Sequence, residues 1–439
     1  MKKNNTFVII GNSAAGIACI EAIRENDKTG KIINISQEPY LPYSRCLLSY
    51  YLAGAIDKNR LWIRPKNYYK DLDAEQILGA KVVFLDEKNK AVKLADGRTI
   101  DFDALLFAAG GSPKKVNIRG IEKKGVFYLR TIDDAEGILR LLNAVKDVAV
   151  LGGGLIGLRA AYSLSRQGKR VHVVVKSSHI FSQILDFESA DMLKAHLQQN
   201  GVQIRTGLEA VEILGEDKVE GILLDDGSKI DCQLAIIAKG VSANTDLLKG
   251  KAKINEGILV DEHLKTSSDS IYAAGDVSEA LDCLEGKSAI NAIWPVAVRQ
   301  GKTAGLNMAG SDAAYEGSCR MNSVEFFGIS CISFGIVRPQ AQEAEELIQA
   351  DFSKNIYRKV VLKNNRIVGA VLVSDVAKHG VLLHLALQKA DISDIKDMLV
   401  DEYFDYAKVI PLIKRQRGSF KRPEYPDTCF TYSPIFAEV

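Results

Sequence analysis

No pair of cysteines in this 439-residue chain has C-x-x-C spacing. The seven cysteines stand apart at 19, 46, 232, 283, 319, 331 and 429. That scatter suits neither a disulfide framework nor a zinc or iron–sulfur ligand set, so no metal site and a reducing cytoplasm are expected. Long apolar runs are missing too: none reaches the roughly 18 residues of a spanning helix. Met1-Lys2-Lys3 before an apolar run imitates a secretory signal, but the run breaks at Gly11-Asn12-Ser13, too early for an h-region. Charge of one sign is not in excess either. The net charge of +2 argues against nucleic acid as a partner. The expectation is a soluble cytoplasmic protein without membrane attachment. Its 47% hydrophobic content suffices for sizeable cores, and its length for roughly three domains of about 150 residues.

What is present begins at once. Phe7-Val8-Ile9-Ile10 is a short apolar run, followed by Gly11-Asn12-Ser13-Ala14-Ala15-Gly16 and apolar positions at helical spacing through Ile23. This predicts strand, tight turn and helix. Such a turn aims the unpaired N–H groups and positive end of a helix at a pyrophosphate. Gly11 permits the turn and Gly16 lets helix and strand pack closely. Ser13 stands where the middle glycine of G-x-G-x-x-G is usual, which makes phosphate approach tighter. Lys31–Ile35 is the second strand, and about 20 residues past the turn an acceptor should meet the adenosine ribose. Ser36 and Glu38 both fall there; Glu38 is favoured because a carboxylate accepts two hydroxyl hydrogen bonds.

Pro39-Tyr40-Leu41-Pro42-Tyr43-Ser44-Arg45-Cys46 follows, with a helix start after the prolines. A thiol at a helix N-terminus can have a depressed pKa and be reactive; a small buried residue is the other reading of Cys46. Residues 80–107 alternate as short strands around the hairpin signal Asp96-Gly97. They close in Phe107-Ala108-Ala109-Gly110-Gly111-Ser112-Pro113, where small residues let backbone approach a ligand.

The same device then recurs. Val148-Ala149-Val150-Leu151 runs into Gly152-Gly153-Gly154-Leu155-Ile156-Gly157, with all three fingerprint glycines, a helix through Gln167 and a strand Val171–Val175. An NADH site usually ends that strand in Asp or Glu. Here Val175 is followed by Lys176, which would suit a 2′-phosphate, so the expectation leans to NADPH without excluding NADH. Ile271-Tyr272-Ala273-Ala274-Gly275-Asp276 repeats the strand-to-turn close of residues 100–111 and brings a carboxylate to a cleft. Trp294 opens a helix whose N-terminus could face the same ligand. Beyond about residue 315, strand-like runs (Ser323–Phe327, Cys331–Ile336, Val360–Leu362, Ile367–Val373) precede helical stretches near 376–388 and 392–399. The segment Lys414-Arg415-Gln416-Arg417-Gly418-Ser419-Phe420-Lys421-Arg422 carries five cations and no acid.

Taken together, the two turns, the Phe107–Pro113 bridge and Ala273-Ala274-Gly275-Asp276 resemble the two-dinucleotide-binding-domain flavoproteins, the pyridine nucleotide-disulfide oxidoreductase superfamily. The likeness covers about residues 5–315. It implies an α/β fold of two Rossmann-like domains, one inserted in the other, plus a C-terminal α+β domain. FAD would lie in a split domain, 1–112 and 243–315, with the NAD(P)H domain at 113–242. Residues 316–439 would form a C-terminal interface domain and make a homodimer. By the same resemblance Gly11, Ser13, Ala14, Ala15 and Gly16 hold the FAD pyrophosphate. Ala109, Gly110, Trp294 and Asp276 line the flavin side, with Asp276 on the ribityl chain. Gly152, Gly154, Leu155, Ile156, Gly157 and Lys176 hold the nicotinamide nucleotide.

Within the superfamily, Tyr43-Ser44-Arg45-Cys46-Leu47-Leu48-Ser49-Tyr50-Tyr51-Leu52-Ala53-Gly54 looks most like two branches. One is the nitrite reductase flavin domains and the NAD(P)H:rubredoxin or ferredoxin reductases, with a basic residue near Arg45 and no essential thiol. The other is the coenzyme A-disulfide reductase, NADH oxidase and peroxidase branch, with one redox cysteine near Cys46; Leu47 replaces the glycine usual after it. The run also looks like the flavoproteins accompanying anaerobic carbon monoxide dehydrogenases. One departure stands out: Arg159 occupies a position commonly Glu, so the usual ion pair with a basic residue near the flavin is lost. The implied activity is hydride transfer between nicotinamide C4 and flavin N5, with Arg45 stabilising the reduced ring. The implied partner is a small iron–sulfur carrier docking partly on 414–422. Two rival readings are a thiol enzyme using Cys46 on disulfide, peroxide or oxygen, and a non-catalytic flavin- and nucleotide-binding scaffold.

Overall fold

The computed structural model describes residues 5–340 and 344–416. Thr6–Ile10 and Lys31–Ile35 are apolar and buried along nearly their whole length, the mark of a parallel sheet covered on both faces. They pair in parallel within a five-stranded sheet ordered 271–273, 104–107, 6–10, 31–35, 74–77. The strand Ile271–Ala273 thus joins a sheet whose other members lie before residue 108. Helix Ala14–Asn26 covers one face and packs on helix Trp294–Met308. Two small residues allow the close crossing. A Cβ on Gly301 would stand 2.1 Å from the Ala15 carbonyl oxygen, and one on Gly305 would stand 2.5 Å from that of Cys19.

A second parallel sheet repeats the plan, ordered 203–206, 170–175, 147–151, 234–237, 126–127. Helix Leu155–Arg166 follows its central strand Asp147–Leu151. Each parallel sheet is accompanied by a three-stranded antiparallel one, at 82–101 and 210–231. Their tight turns place Gly97 (φ +93°) and Gly227 (φ +82°) in the left-handed region, as Asp96-Gly97 leads one to expect. The chain passes between the two units along Gly111–Pro113 and Val241–Ala243, which pair antiparallel with each other.

The C-terminal segment forms a five-stranded antiparallel sheet ordered 321–326, 329–335, 366–373, 356–363, 345–351. Its two faces bury different partners. Ile329, Cys331, Tyr357, Val371 and Val373 pack toward the second nucleotide unit, while Phe334, Val360, Ala370 and Leu372 pack under helices His379–Leu387 and Tyr406–Arg415. That is the period-two alternation of a sheet covered on each side by different elements. The edge strand Glu345–Asp351 has no counterpart in the sequence expectations. Its residues are mostly exposed and polar, so no alternation marks it. The stretch expected to be helical near 392–399 is a 3₁₀ helix, Ser393–Met398. Among the described residues no helix is long and apolar enough to cross a membrane, and no cluster of His, Cys, Asp and Glu could hold a metal ion.

Candidate dinucleotide and redox site

Both glycine turns stand at the carboxyl end of a central strand and open a helix. At the first, Gly11 has φ +121°, and a Cβ there would lie 2.2 Å from the Ala108 carbonyl oxygen. A Cβ on Gly16 would stand 2.1 Å from the Gly11 carbonyl oxygen, so neither position admits a side chain. Ser13 is the N-cap of Ala14–Asn26, and its hydroxyl makes no cap hydrogen bond. The first N–H groups of that helix are therefore uncapped by Ser13 and available to an anion. The second turn matches closely. Gly152 has φ +137°, and Cβ atoms on Gly152 and Gly157 would each meet a carbonyl oxygen at 2.1 Å. A Cβ on Gly154, by contrast, would find nothing within 4 Å. Leu155 and Ile156 begin the helix behind this open place, which is the shape a phosphate cradle needs.

Glu38 does not stand alone beyond the first sheet. One carboxylate oxygen accepts from the Tyr43 hydroxyl at 2.6 Å, and the other is ion-paired with Arg45. Each oxygen keeps a further lone pair for a hydroxyl donor. Arg45 also donates to the Tyr43 hydroxyl and to the Arg130 carbonyl, both at 2.8 Å. Arg45 is thus bonded to the residue expected at the adenosine ribose.

Arg130 was not anticipated. Its guanidinium holds Asp276 at 2.9 Å and donates to the Gly111 carbonyl at 3.2 Å. The signal was present in Thr131-Ile132-Asp133-Asp134, a capping box in which Thr131 and Asp134 bond reciprocally at the start of helix Ile132–Leu141. The same Asp134 carboxylate accepts from the Arg130 N–H at 2.9 Å, so the box also fixes Arg130, the residue before the N-cap. Gln300, also unanticipated, holds the turn before Asp276 by accepting from the Gly275 N–H at 2.8 Å. The helix that Trp294 opens therefore braces this turn through Gln300, six residues in. Ala109 and Gly110 are fixed by Asn244, whose side chain donates to the Ala109 carbonyl at 2.8 Å. Arg130 also lines a small cavity with Ile156, Ala238 and Val241. One side chain thus touches both the Asp276 turn and the neighbourhood of the second glycine turn.

For Cys46 the sequence leaves two readings, a reactive thiol and a small buried residue. Cys46 sits in a 3₁₀ turn, Arg45–Leu47, that runs directly into the short helix Leu48–Leu52. The residue is exposed, but the surrounding protein desolvates its thiol. That desolvation and then the Asp276 carboxylate push its pKa upward, against the opposing pull of Arg130. Lys176 is ion-paired with Glu209 at 2.6 Å. Arg159 reaches the Ser49 hydroxyl at 3.2 Å, lies over the Tyr50 ring at 4.4 Å and donates to the Glu325 carbonyl at 3.3 Å. It joins its own helix to two other segments through a hydroxyl, an aromatic ring and a carbonyl. Of the basic segment, Lys414, Arg415 and Gln416 are described, and Arg415 pairs with Asp394 at 2.9 Å. Arg417 to Arg422 lie outside the described residues.

Comparison with known proteins agrees with this arrangement. Residues 5–301 match the pyridine nucleotide-disulphide oxidoreductase family, and residues 321–389 match the rubredoxin NAD+ reductase C-terminal domain. The chain is 29% identical over 401 residues to the NADH-dependent phenylglyoxylate dehydrogenase subunit epsilon of Aromatoleum evansii, covering 91% of this chain and 95% of that one. It is 31% identical over 391 residues to the nitrite reductase [NAD(P)H] of Bacillus subtilis, where it spans 88% of its own length but only 48% of the relative. Among solved structures, NADH:rubredoxin oxidoreductase from Clostridium acetobutylicum superposes with a TM-score of 0.73 at 26% identity, over 90% of this chain and 98% of that one. The chain belongs to the pyridine nucleotide-disulphide oxidoreductase family and is an NAD(P)H oxidoreductase.

Proposed function

We propose that the protein is an FAD-dependent enzyme that moves electrons between NAD(P)H and a small iron–sulfur protein of the rubredoxin or ferredoxin kind. The observation that carries the reading is Arg130, which pairs with Asp276 and lines one cavity with Ile156 of the second glycine turn. Two cradles that share a residue can bring two dinucleotides together. The residues fit FAD: the Gly11–Gly16 turn leaves no room for side chains at its glycines, Ser13 makes no side-chain cap bond to the helix N–H groups, and Asp276 is held by Arg130. Bound FAD would supply hydride acceptance from nicotinamide and electron release in single steps. The protein's own part is orientation. Glu38 accepts ribose hydroxyls, Asp276 accepts from the ribityl chain, and the second turn presents helix N–H groups to the nicotinamide nucleotide's pyrophosphate.

The match of residues 321–389 to a rubredoxin NAD+ reductase domain, and the name of the Clostridium structure, support an iron–sulfur partner. The resemblance of residues 43–54 extends the proposal to a carrier in a carbon monoxide dehydrogenase system. In this reading 1–112 with 243–315 bind FAD, 113–242 bind the nicotinamide nucleotide, and 316–439 form a homodimer interface in the cytoplasm. The test is an anaerobic titration of the purified protein with NADH and with NADPH, followed by oxidised rubredoxin and ferredoxin at rising ionic strength. A yellow protein that bleaches and then reduces the carrier, more slowly as salt rises, is the expected result. A colourless protein that takes up no added FAD overturns the proposal.

A second reading has one observation in its favour: Cys46 is exposed. A Cys46→Ser variant that loses disulfide, peroxide or oxygen reduction while keeping carrier reduction would establish it as a separate activity.

A further inference from the structure

The carboxyl edge of the second sheet carries three charged residues that the glycine turn does not explain. Strand Asp147–Leu151 lies between Arg170–Val175 on one side and Leu234–Ile237 on the other. In an open parallel sheet, ligands bind in the crevice where neighbouring connections depart in opposite directions. Lys176 follows the strand on one side and Lys239 the strand on the other. Glu209 comes from the next strand out, and its approach is fixed by backbone bonds: the Gly207 N–H donates to the Ser177 carbonyl at 3.1 Å, and the Leu208 N–H to the Val175 carbonyl at 3.2 Å. Its carboxylate therefore stands beside the end of Arg170–Val175, where the strand itself supplies only Val175.

The ion pairs cross this crevice. Glu209 holds Lys176 at 2.6 Å and Lys239 at 3.4 Å, and Lys239 is the less exposed of the two cations. Because Lys239 starts beside Ala238, which abuts Gly152, its reach to Glu209 runs over the strand ends that a dinucleotide must approach. We propose that Glu209, not the residue ending the strand, selects the nicotinamide dinucleotide, accepting the adenosine ribose 2′-hydroxyl and disfavouring a 2′-phosphate. The inference rests on the dinucleotide reading above and reverses the lean to NADPH drawn from Lys176.

The reasoning is a comparison of what each ligand must displace. A ribose diol needs lone pairs of one carboxylate, which the 3.4 Å contact to Lys239 leaves easiest to free. A 2′-phosphate needs cations. Turning Lys176 and Lys239 toward it strips Glu209 of both partners and leaves a bare carboxylate beside a dianion. Glu209 is held in its charged form by Lys176 first and by Lys239 as well, against the opposing effect of burial. It is therefore ready to accept hydroxyl donors throughout the neutral range.

The test measures equilibrium binding of two redox-inactive probes, ADP-ribose and 2′-phospho-ADP-ribose, to the flavin-loaded protein by calorimetry at one fixed ionic strength. Wild type should bind ADP-ribose at least about tenfold more tightly than its 2′-phosphate, the scale of one charge-assisted hydrogen bond. Glu209→Gln frees both lysines; it should weaken ADP-ribose about tenfold and reverse the preference. Glu209→Asp keeps the charge and should keep the preference at reduced affinity. Lys176→Gln should also keep it, because Glu209 remains. A Glu209→Gln protein with an unchanged ratio, or a wild type that prefers the 2′-phosphate, overturns the inference while leaving the dinucleotide reading intact. A wild type that binds neither probe overturns both.

Discussion

At the scale of single residues, the buried charges decide more than the exposed ones. Asp186 caps helix Phe187–Gln199, and its carboxylate accepts from the Tyr357 hydroxyl at 2.7 Å and pairs with Lys359 at 2.9 Å. Lys359 pairs in turn with Glu346 at 2.7 Å. Burial works to raise the Asp186 pKa, but bonds from Ser189, Tyr357 and Lys359 outweigh it and hold the group below its ordinary value. A depressed carboxylate contributes stability above its unfolded pKa of about 3.9, and that stability fades as pH falls through the lower folded value. Asp186→Asn should therefore cost about 3 kcal/mol at pH 7, because the buried Lys359 loses its buried partner and keeps only the exposed Glu346. It should also flatten the loss of stability below about pH 4. Urea unfolding of both proteins at pH 3, 4 and 7 checks both statements. Neither Lys359 nor Tyr357 could be paired with Asp186 from sequence, since more than 150 residues separate them.

At the scale of elements, two contacts position the site without touching a ligand. The capping box at Thr131 and Asp134 starts the helix Ile132–Leu141 and fixes Arg130 just before it. Thr131→Ala should cost about 1 kcal/mol in thermal or urea unfolding. Because Arg130 would lose its fixed placement against Asp276, flavin retention on dilution should fall as well. The crossing of Ala14–Asn26 on Trp294–Met308 depends on Gly301, where a Cβ would press to 2.1 Å of a backbone oxygen. Gly301→Val should cost 3 kcal/mol or about that in unfolding free energy, the upper part of the range for overpacking, since backbone cannot yield as a side chain does. Both glycine turns were readable from the residues alone, because a sharp turn against a neighbouring backbone admits almost nothing else. The edge strand Glu345–Asp351 was not readable: its place is set by pairing with Ile356–Lys363, not by a buried face of its own.

At the scale of the whole molecule, the C-terminal sheet leans on the second nucleotide unit. Phe326 is fully buried, with its ring 5.7 Å from Tyr162 and 6.0 Å from Phe181. Phe181 in turn donates its N–H to the Gly153 carbonyl at 2.7 Å, so this packing reaches the glycine turn directly. Phe326→Ala should cost about 3–5 kcal/mol, seen as a lowered urea midpoint, and should weaken ADP-ribose binding more than flavin retention. The sequence by itself determined the two strand–turn–helix units, their glycines and the hairpin turn at Asp96-Gly97. Each is a local requirement, met by residues adjacent in the chain and dictated by backbone sterics or by the period of burial. Only the tertiary structure decided which charges meet. Arg130 with Asp276, Arg45 with Glu38 and Lys176 with Glu209 are pairings across separate elements. Their energy depends on distance and desolvation in space, which spacing along the chain does not encode.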